Sequence, residues 1–133
     1  MSQEAKCPFC DIVQEPADRR IIVQNSYAFL IRDDYPVSSG HSLIIPKRHI
    51  GSFFKASDGE KQCLLELLEL AKTQLDGEFQ PAAYNIGIND GPAAGQTIPH
   101  MHIHLIPRYE DNSCDPRGGV RWVVPEKADY WSK

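Results

Sequence analysis

Runs of apolar residues separated by turn formers outline most of the chain before any chemistry is considered. Phe9, Ile12 and Val13 fall at helical spacing and predict a short helix over residues 7–14, with Pro16 as its stop. Two β-rich stretches follow, residues 20–24 and 27–32, and Asn25-Ser26 between them predicts a hairpin. Residues 33–40 are breakers and turn formers that lead into a third strand over 42–45. Pro46 ends that strand and leaves Lys47, Arg48 and His49 at its exit.

Ser57 followed by Glu60 is a capping-box pattern, and Leu64, Leu68, Ala71 and Leu75 continue it as the stripe of one long helix closing near Gly77. Residues 83–88 alternate like a strand, and residues 89–95 form a loop of small residues. Residues 99–106 alternate again, and residues 120–124 offer a possible extra strand in the tail. Antiparallel strands with one long helix after the third predict an α+β domain whose sheet is covered on one face. The other face is then the place for chemistry. No repeat, linker or low-complexity stretch divides the chain, so residues 1–133 read as a single domain, with a core over about 7–109 and a tail over 110–133.

Composition narrows the function classes. Hydrophobic residues at 41% and charged residues at 24% are ordinary for a globular domain, and no apolar run reaches membrane-spanning length. A formal net charge of -4 argues against a general nucleic-acid binder, because polyanion affinity rests on Lys and Arg. The polar first residues lack an apolar signal segment, so a cytoplasmic location is expected.

The chemistry concentrates in the last predicted core strand. Side chains alternate faces with period two, so Met101, Ile103 and Leu105 point to the core and His100, His102 and His104 share the opposite face. Neutral imidazole can attack phosphorus while a neighbour donates a hydrogen bond, which splits one displacement into two easier ones. Alternate histidines are also good metal-ligand geometry, and a surface histidine tract is the plainest alternative.

These residues resemble the histidine triad (HIT) superfamily, from Cys7 to Pro107, most specifically across Gly95-Gln96-Thr97-Ile98-Pro99-His100-Met101-His102-Ile103-His104. The resemblance implies a HIT-like fold with an antiparallel sheet of about five strands, one long helix and a short N-terminal helix. It implies that His102 attacks the α-phosphorus of a nucleotide and is nucleotidylated before water releases the monophosphate. His104, Asn89, Gly95 and Thr97 then match phosphate contacts, and Gln96 matches a catalytic glutamine that covers the phosphates in the fragile histidine triad branch. Asp33 matches the acidic residue that holds ribose hydroxyls, and Phe9, Ile12 and Ile31 match the purine pocket. A homodimer is implied by the family as well.

Cys7 and Cys10 stand at metal-ligand spacing, and a redox motif would want a strand before them. Structural zinc needs four ligands, and His49 with His100 would complete a Cys2His2 set, with His41 as a rival for one place. Zinc-containing bacterial HIT proteins and galactose-1-phosphate uridylyltransferases resemble this arrangement, with the first triad histidine on the metal.

The reading is therefore a HIT hydrolase or transferase acting on a purine nucleotide, with a dinucleoside polyphosphate such as diadenosine polyphosphate as the expected substrate. Nucleoside phosphoramidate hydrolysis is the alternative reaction. A nucleotide-binding signalling scaffold with incidental turnover is the alternative of another class. The tail departs from the phosphoramidase branch, and Arg117 and Arg121 in it are either polyphosphate contacts or solvated surface charges.

Overall fold

The structure, a computed structural model, describes residues 7–15, 18–111 and 114–132. The predicted stop at Pro16 lies outside the described residues. Five strands form one antiparallel sheet in the order β1-β2-β3-β5-β4, from β1 (Val23–Gln24), β2 (Ala28–Arg32), β3 (Ser42–Pro46), β4 (Ala83–Gly87) and β5 (Ile103–Arg108). Helix α1 spans Pro8–Gln14 and helix α2 spans Asp58–Glu78. The α+β class holds, and so does the predicted element order as far as the histidine strand.

The β1–β2 hairpin is set by Asn25. Its carboxamide oxygen accepts from the N–H groups of Tyr27 and Ala28, and its amide donates to the Cys63 carbonyl of α2 at 3.0 Å. Such a side chain mimics a backbone turn, which is why Asn favours the position. Only Val23 and Gln24 of the first predicted stretch pair in the ladder.

Strands β2 and β3 are buried on both faces, which explains their continuous apolar runs. Ala28, Leu30 and Ile44 pack under α2 with Met101, Ile103 and Leu105, while Phe29, Ile31, Leu43 and Ile45 face the other way and meet Phe9 and Ile12 of α1. Helix α2 begins as expected: the Ser57 hydroxyl accepts from the Glu60 N–H while the Glu60 carboxylate accepts from the Ser57 N–H. Its buried stripe is Leu64, Leu67, Ala71 and Leu75, with Leu68 only partly buried beside it, and it runs past Gly77 to Glu78.

Two predicted strands are corrected. Residues 120–124 do not join the sheet; Gly119–Val123 is a 3-10 turn entered through two positive-φ glycines, Gly118 before it and Gly119 as its first residue. Those glycines turn the chain, and the Trp122 indole N–H closes back on the Arg117 carbonyl at 2.8 Å. The histidine strand starts late, at Ile103. Extending the register beyond the Ile44↔Ile103 pair would set Pro46 opposite Met101, and proline has no N–H to give the ladder. The Met101 N–H turns instead to the Ile50 carbonyl at 2.8 Å. His100 and His102 therefore sit on irregular backbone, although Met101, Ile103 and Leu105 still reach the core.

Candidate active site and metal centre

On the face away from α2 the structure opens a cavity of about 550 Å³. Its apolar wall is Phe9, Ile12, Ile31, Leu43 and Ile98, and its polar end carries Asp33, Asn89, Gly95, Thr97, His102 and His104. Sites expected from distant parts of the sequence thus converge on one hollow. Gln96 does not line it. Its carboxamide oxygen accepts from the Gly91 N–H at 2.7 Å, and its nitrogen donates to the carbonyls of Gly51 and Ile98 at 3.0 Å each. Gln96 thereby fastens the loop that presents Asn89, Gly95 and Thr97. Asp90 fastens the same loop from its other end, accepting from Ser52 and from the Phe53 N–H. Gly95, at φ 97°, closes the turn in a conformation that favours glycine.

The hydrogen bonds fix the roles of the ring nitrogens. Nδ1 of His102 lies 2.9 Å from the His100 carbonyl oxygen, which can only accept, so Nδ1 carries the proton and Nε2 keeps its lone pair. His41, at the entry of β3, orders His104. The Val37 N–H donates to Nδ1 of His41 at 3.1 Å, so the His41 proton sits on Nε2, 2.9 Å from Nδ1 of His104. Nδ1 of His104 accepts that proton's hydrogen bond, which leaves Nε2 of His104 as an N–H donor.

The Asp33 carboxylate lies 3.4 Å from the same His41 nitrogen, and Asp33, His41 and His104 together could be taken for a cation site. The Val37 contact argues against it, because a metal on Nε2 of His41 would require a proton on Nδ1, which could not then accept. The hydrogen bond runs from His41 to His104, and the Asp33 carboxylate stands beside it as a neighbouring charge. Burial, with His102 and His41 adding to it, pushes the His104 imidazole down to about 4. Burial also lowers His41, against the pull of Asp33. Both rings are neutral at pH near 7 and act as dipoles with assigned directions.

His41 is the site residue that sequence reasoning missed in this role. It was expected as a rival metal ligand, and the structure places it with His104 instead. The available signal was its position, since β3 pairs with β5 so that Leu43 stands opposite His104.

Behind the cavity lies the second cluster. Cys7 caps the N-terminus of α1 and Cys10 follows one turn later, so both thiols leave the same face. His49 arrives from beyond β3 and His100 from before β5. Nδ1 of His100 is 3.4 Å from Cys7 Sγ, 3.6 Å from Cys10 Sγ and 3.2 Å from Nδ1 of His49, while Cys10 Sγ is 3.2 Å from Nδ1 of His49. A tetrahedral zinc with bonds of about 2.0–2.3 Å has ligand edges of roughly 3.3–3.8 Å, so this donor set fits the ion.

The surroundings fit it too. Nε2 of His100 donates to the Pro46 carbonyl at 2.8 Å, which turns the Nδ1 lone pair toward the cluster, and burial lowers the pKa of the His100 imidazole and keeps it neutral. Burial and the neighbouring Cys7 push the Cys10 thiol up to about 11 in the metal-free chain, so metal uptake must displace a proton. The Cys7, Cys10, His49 and His100 set expected for the metal is brought together, and His41 is outside it.

Phe9 joins the two centres. Its ring meets the His100 ring edge-on at 5.7 Å between centroids and the His102 ring at 5.2 Å. The tail arginines serve neither centre. Arg117 pairs with Asp115 and stacks on Trp131, and Arg121 donates to the Lys127 and Ala128 carbonyls beneath Tyr130.

His102 thus lines a partly open, half-apolar cavity on a five-stranded sheet, with a Cys2His2 cluster behind it. The chain belongs to the HIT family, whose domain model matches residues 14–111. It is 36% identical over 106 residues to an uncharacterized HIT-like protein of Mycoplasma genitalium, covering 80% of this chain and 75% of that protein. It is 30% identical over 115 residues to a bis(5'-adenosyl)-triphosphatase of Saccharomyces cerevisiae, covering 84% of this chain and 52% of the yeast protein. Among solved structures, a zinc-bound histidine triad family protein from Mycobacterium smegmatis superposes with a TM-score of 0.73 at 29% identity, covering 83% of this chain and 80% of that one.

Proposed function

We propose that this protein is a zinc-containing nucleotide hydrolase that cleaves at the α-phosphate of a dinucleoside polyphosphate through a nucleotidyl-His102 intermediate. The observation that carries the reading is the Nδ1–H bond of His102 to the His100 carbonyl, which in the neutral ring leaves the Nε2 lone pair free, at a cavity with an apolar wall on one side and hydrogen-bond donors on the other. The bis(5'-adenosyl)-triphosphatase relative favours an adenine dinucleotide as the substrate class.

In this reading a purine lies against Phe9, Ile12 and Ile31, and the Asp33 carboxylate accepts from ribose hydroxyls. The α-phosphate meets His104 Nε2–H, Thr97, Asn89 and the Gly95 loop. The His102 lone pair forms the phosphorus–nitrogen bond while the bond to the departing phosphate oxygen breaks. The leaving polyphosphate is a stable anion and needs no added proton. The positive charge that grows on the imidazole is offset by the Nδ1–H bond to the His100 carbonyl. Water then attacks the same phosphorus, releases the nucleoside monophosphate and restores the imidazole.

The Cys7, Cys10, His49 and His100 set holds zinc as a structural ion and supplies no step of the reaction. It fixes the backbone of His100, whose carbonyl sets the His102 tautomer. The protein works as a homodimer, a reading supported by the open outer edge of β4, where Ile86 is 51% exposed.

A panel of diadenosine tetraphosphate, diadenosine triphosphate and adenosine phosphoramidate tests the substrate class, with AMP expected from the two dinucleotides. Faster turnover of the phosphoramidate would move the assignment to that bond. Loss of turnover in His102→Asn with AMP binding kept separates an enzyme from a nucleotide-binding scaffold.

A further inference from the structure

The zinc cluster and the base wall share one short helix. Cys7 and Cys10 bracket Phe9 in the sequence, and Ile12 lies just beyond on the same two turns. Among the described residues, the hydrogen bonds between α1 and the rest of the domain run through the Cys7 and Cys10 thiols to His49 and His100. The Cys7 carbonyl and the Glu15 N–H at its two ends bond within the helix, and the Glu15 carbonyl accepts only from the adjoining Asp18 N–H.

A helix of 7 residues is far shorter than the roughly 12–15 residues at which isolated helices become even marginal. Its position therefore depends on burial of Phe9 and Ile12 and on the thiol cluster. Those two side chains are also the α1 part of the cavity wall, and they abut Ile31 and Leu43 of the sheet across the hollow.

We propose that zinc occupancy sets nucleobase affinity, because the ion is the tether that holds Phe9 and Ile12 in place as one wall of the base pocket. Apart from His102, which follows the His100 carbonyl, the phosphate end of the cavity does not share this dependence. Asn89, Gly95 and Thr97 are held by Gln96 and Asp90, and His104 by His41, none of which touches the cluster. Zinc thus acts on the recognition of the base and leaves the recognition of the phosphate largely alone. The proposal rests on the nucleotide reading above.

Equilibrium binding of AMP and of ribose 5-phosphate, with and without zinc, tests it alongside hydrogen exchange of the backbone amides. In the zinc-loaded protein AMP should bind more tightly than ribose 5-phosphate; equal affinities, or no binding of either, would refute the nucleotide reading itself. After chelation AMP should weaken about tenfold, the scale of one lost aromatic stacking contact, while ribose 5-phosphate changes less than about twofold. Protection should fall over Pro8–Gln14 and persist in β2, β3 and β5, and added zinc should restore both readouts.

Unchanged AMP affinity after chelation, or equal weakening of both ligands, would overturn the proposal. So would uniform loss of protection across the sheet, since zinc would then hold the whole domain and not one wall of the pocket.

Discussion

Nδ1 of His102 donates to the carbonyl oxygen of His100 at 2.9 Å, and this one bond leaves Nε2 as the nitrogen that faces the proposed chemistry. The same residue that offers its carbonyl to His102 offers its own ring to the metal cluster. His100 therefore links the metal cluster to the His102 tautomer through its backbone, and the irregular chain before β5 is what lets it face both ways.

Gln96 fastens the loop through three bonds and does not line the cavity. Gln96→Glu would put carboxylate oxygen against the Gly51 and Ile98 carbonyls in place of the amide donor. The exposed Gly51 carbonyl loses its donor, and the Ile98 carbonyl, which still accepts from the His100 N–H, faces like charge, which lowers stability by about 1 kcal/mol. AMP binding should weaken as the Gly95 loop loosens. Urea unfolding and AMP titration check both effects, and wild-type values in both would show that the three bonds do not hold the loop.

His104 predicts a specific pH dependence. Its imidazole titrates at about 4 in the folded domain, whereas an unfolded chain takes up that proton near about 6.5. Between these values the unfolded state binds more protons, so stability is complete above about 6.5 and falls as pH drops toward about 4. Urea midpoints across this range should decline, and His104→Asn should flatten the decline. An NMR titration placing His104 at its ordinary value would contradict the neutral-relay assignment.

The elements legible in the sequence were those whose signal is local. The capping box at Ser57 and Glu60, the doubly buried runs of β2 and β3, and the Asn25 turn each follow from neighbours within a few residues. The Cys2His2 set was legible because its chemistry demands four donors and few were on offer. The late start of β5 was not, because it depends on Pro46 standing across the sheet from Met101. The His41 relay was hidden for the same reason, since a partner 63 residues away is invisible to periodicity. Residues 120–124 look like a strand by composition, and Gly118 and Gly119 turn them into a 3-10 segment.

Glu60 ties the start of α2 to the chain beside His49. Its carboxylate takes two bonds from Arg48 at 2.8 Å each and one from the Ser57 N–H, and the Arg48 guanidinium holds it down at about 2. Glu60→Gln should cost about 1–2 kcal/mol of unfolding free energy through the weakened cap and charge-assisted bonds. The wild-type contribution is present above the ordinary carboxyl value and is lost as pH falls toward about 2. Thermal melts of the variant at neutral pH measure it, and an unshifted midpoint would contradict the assignment.

The open β4 edge predicts the assembly state. Ile86→Glu places a charge on the exposed apolar position of that edge and should convert a homodimer to a monomer. Light scattering after size exclusion gives the answer, and a variant that stays dimeric would put the interface elsewhere.

The central claim is a covalent bond between His102 and the nucleotide. Rapid acid-free quenching of the enzyme with diadenosine triphosphate, followed by peptide mass spectrometry, should find an adenylyl group on the peptide carrying His102. The adduct should be labile to acid, stable to alkali and absent from His102→Asn. Turnover of the dinucleotide with full activity in His102→Asn, or with the adenylyl group on His104 in its place, would contradict the account.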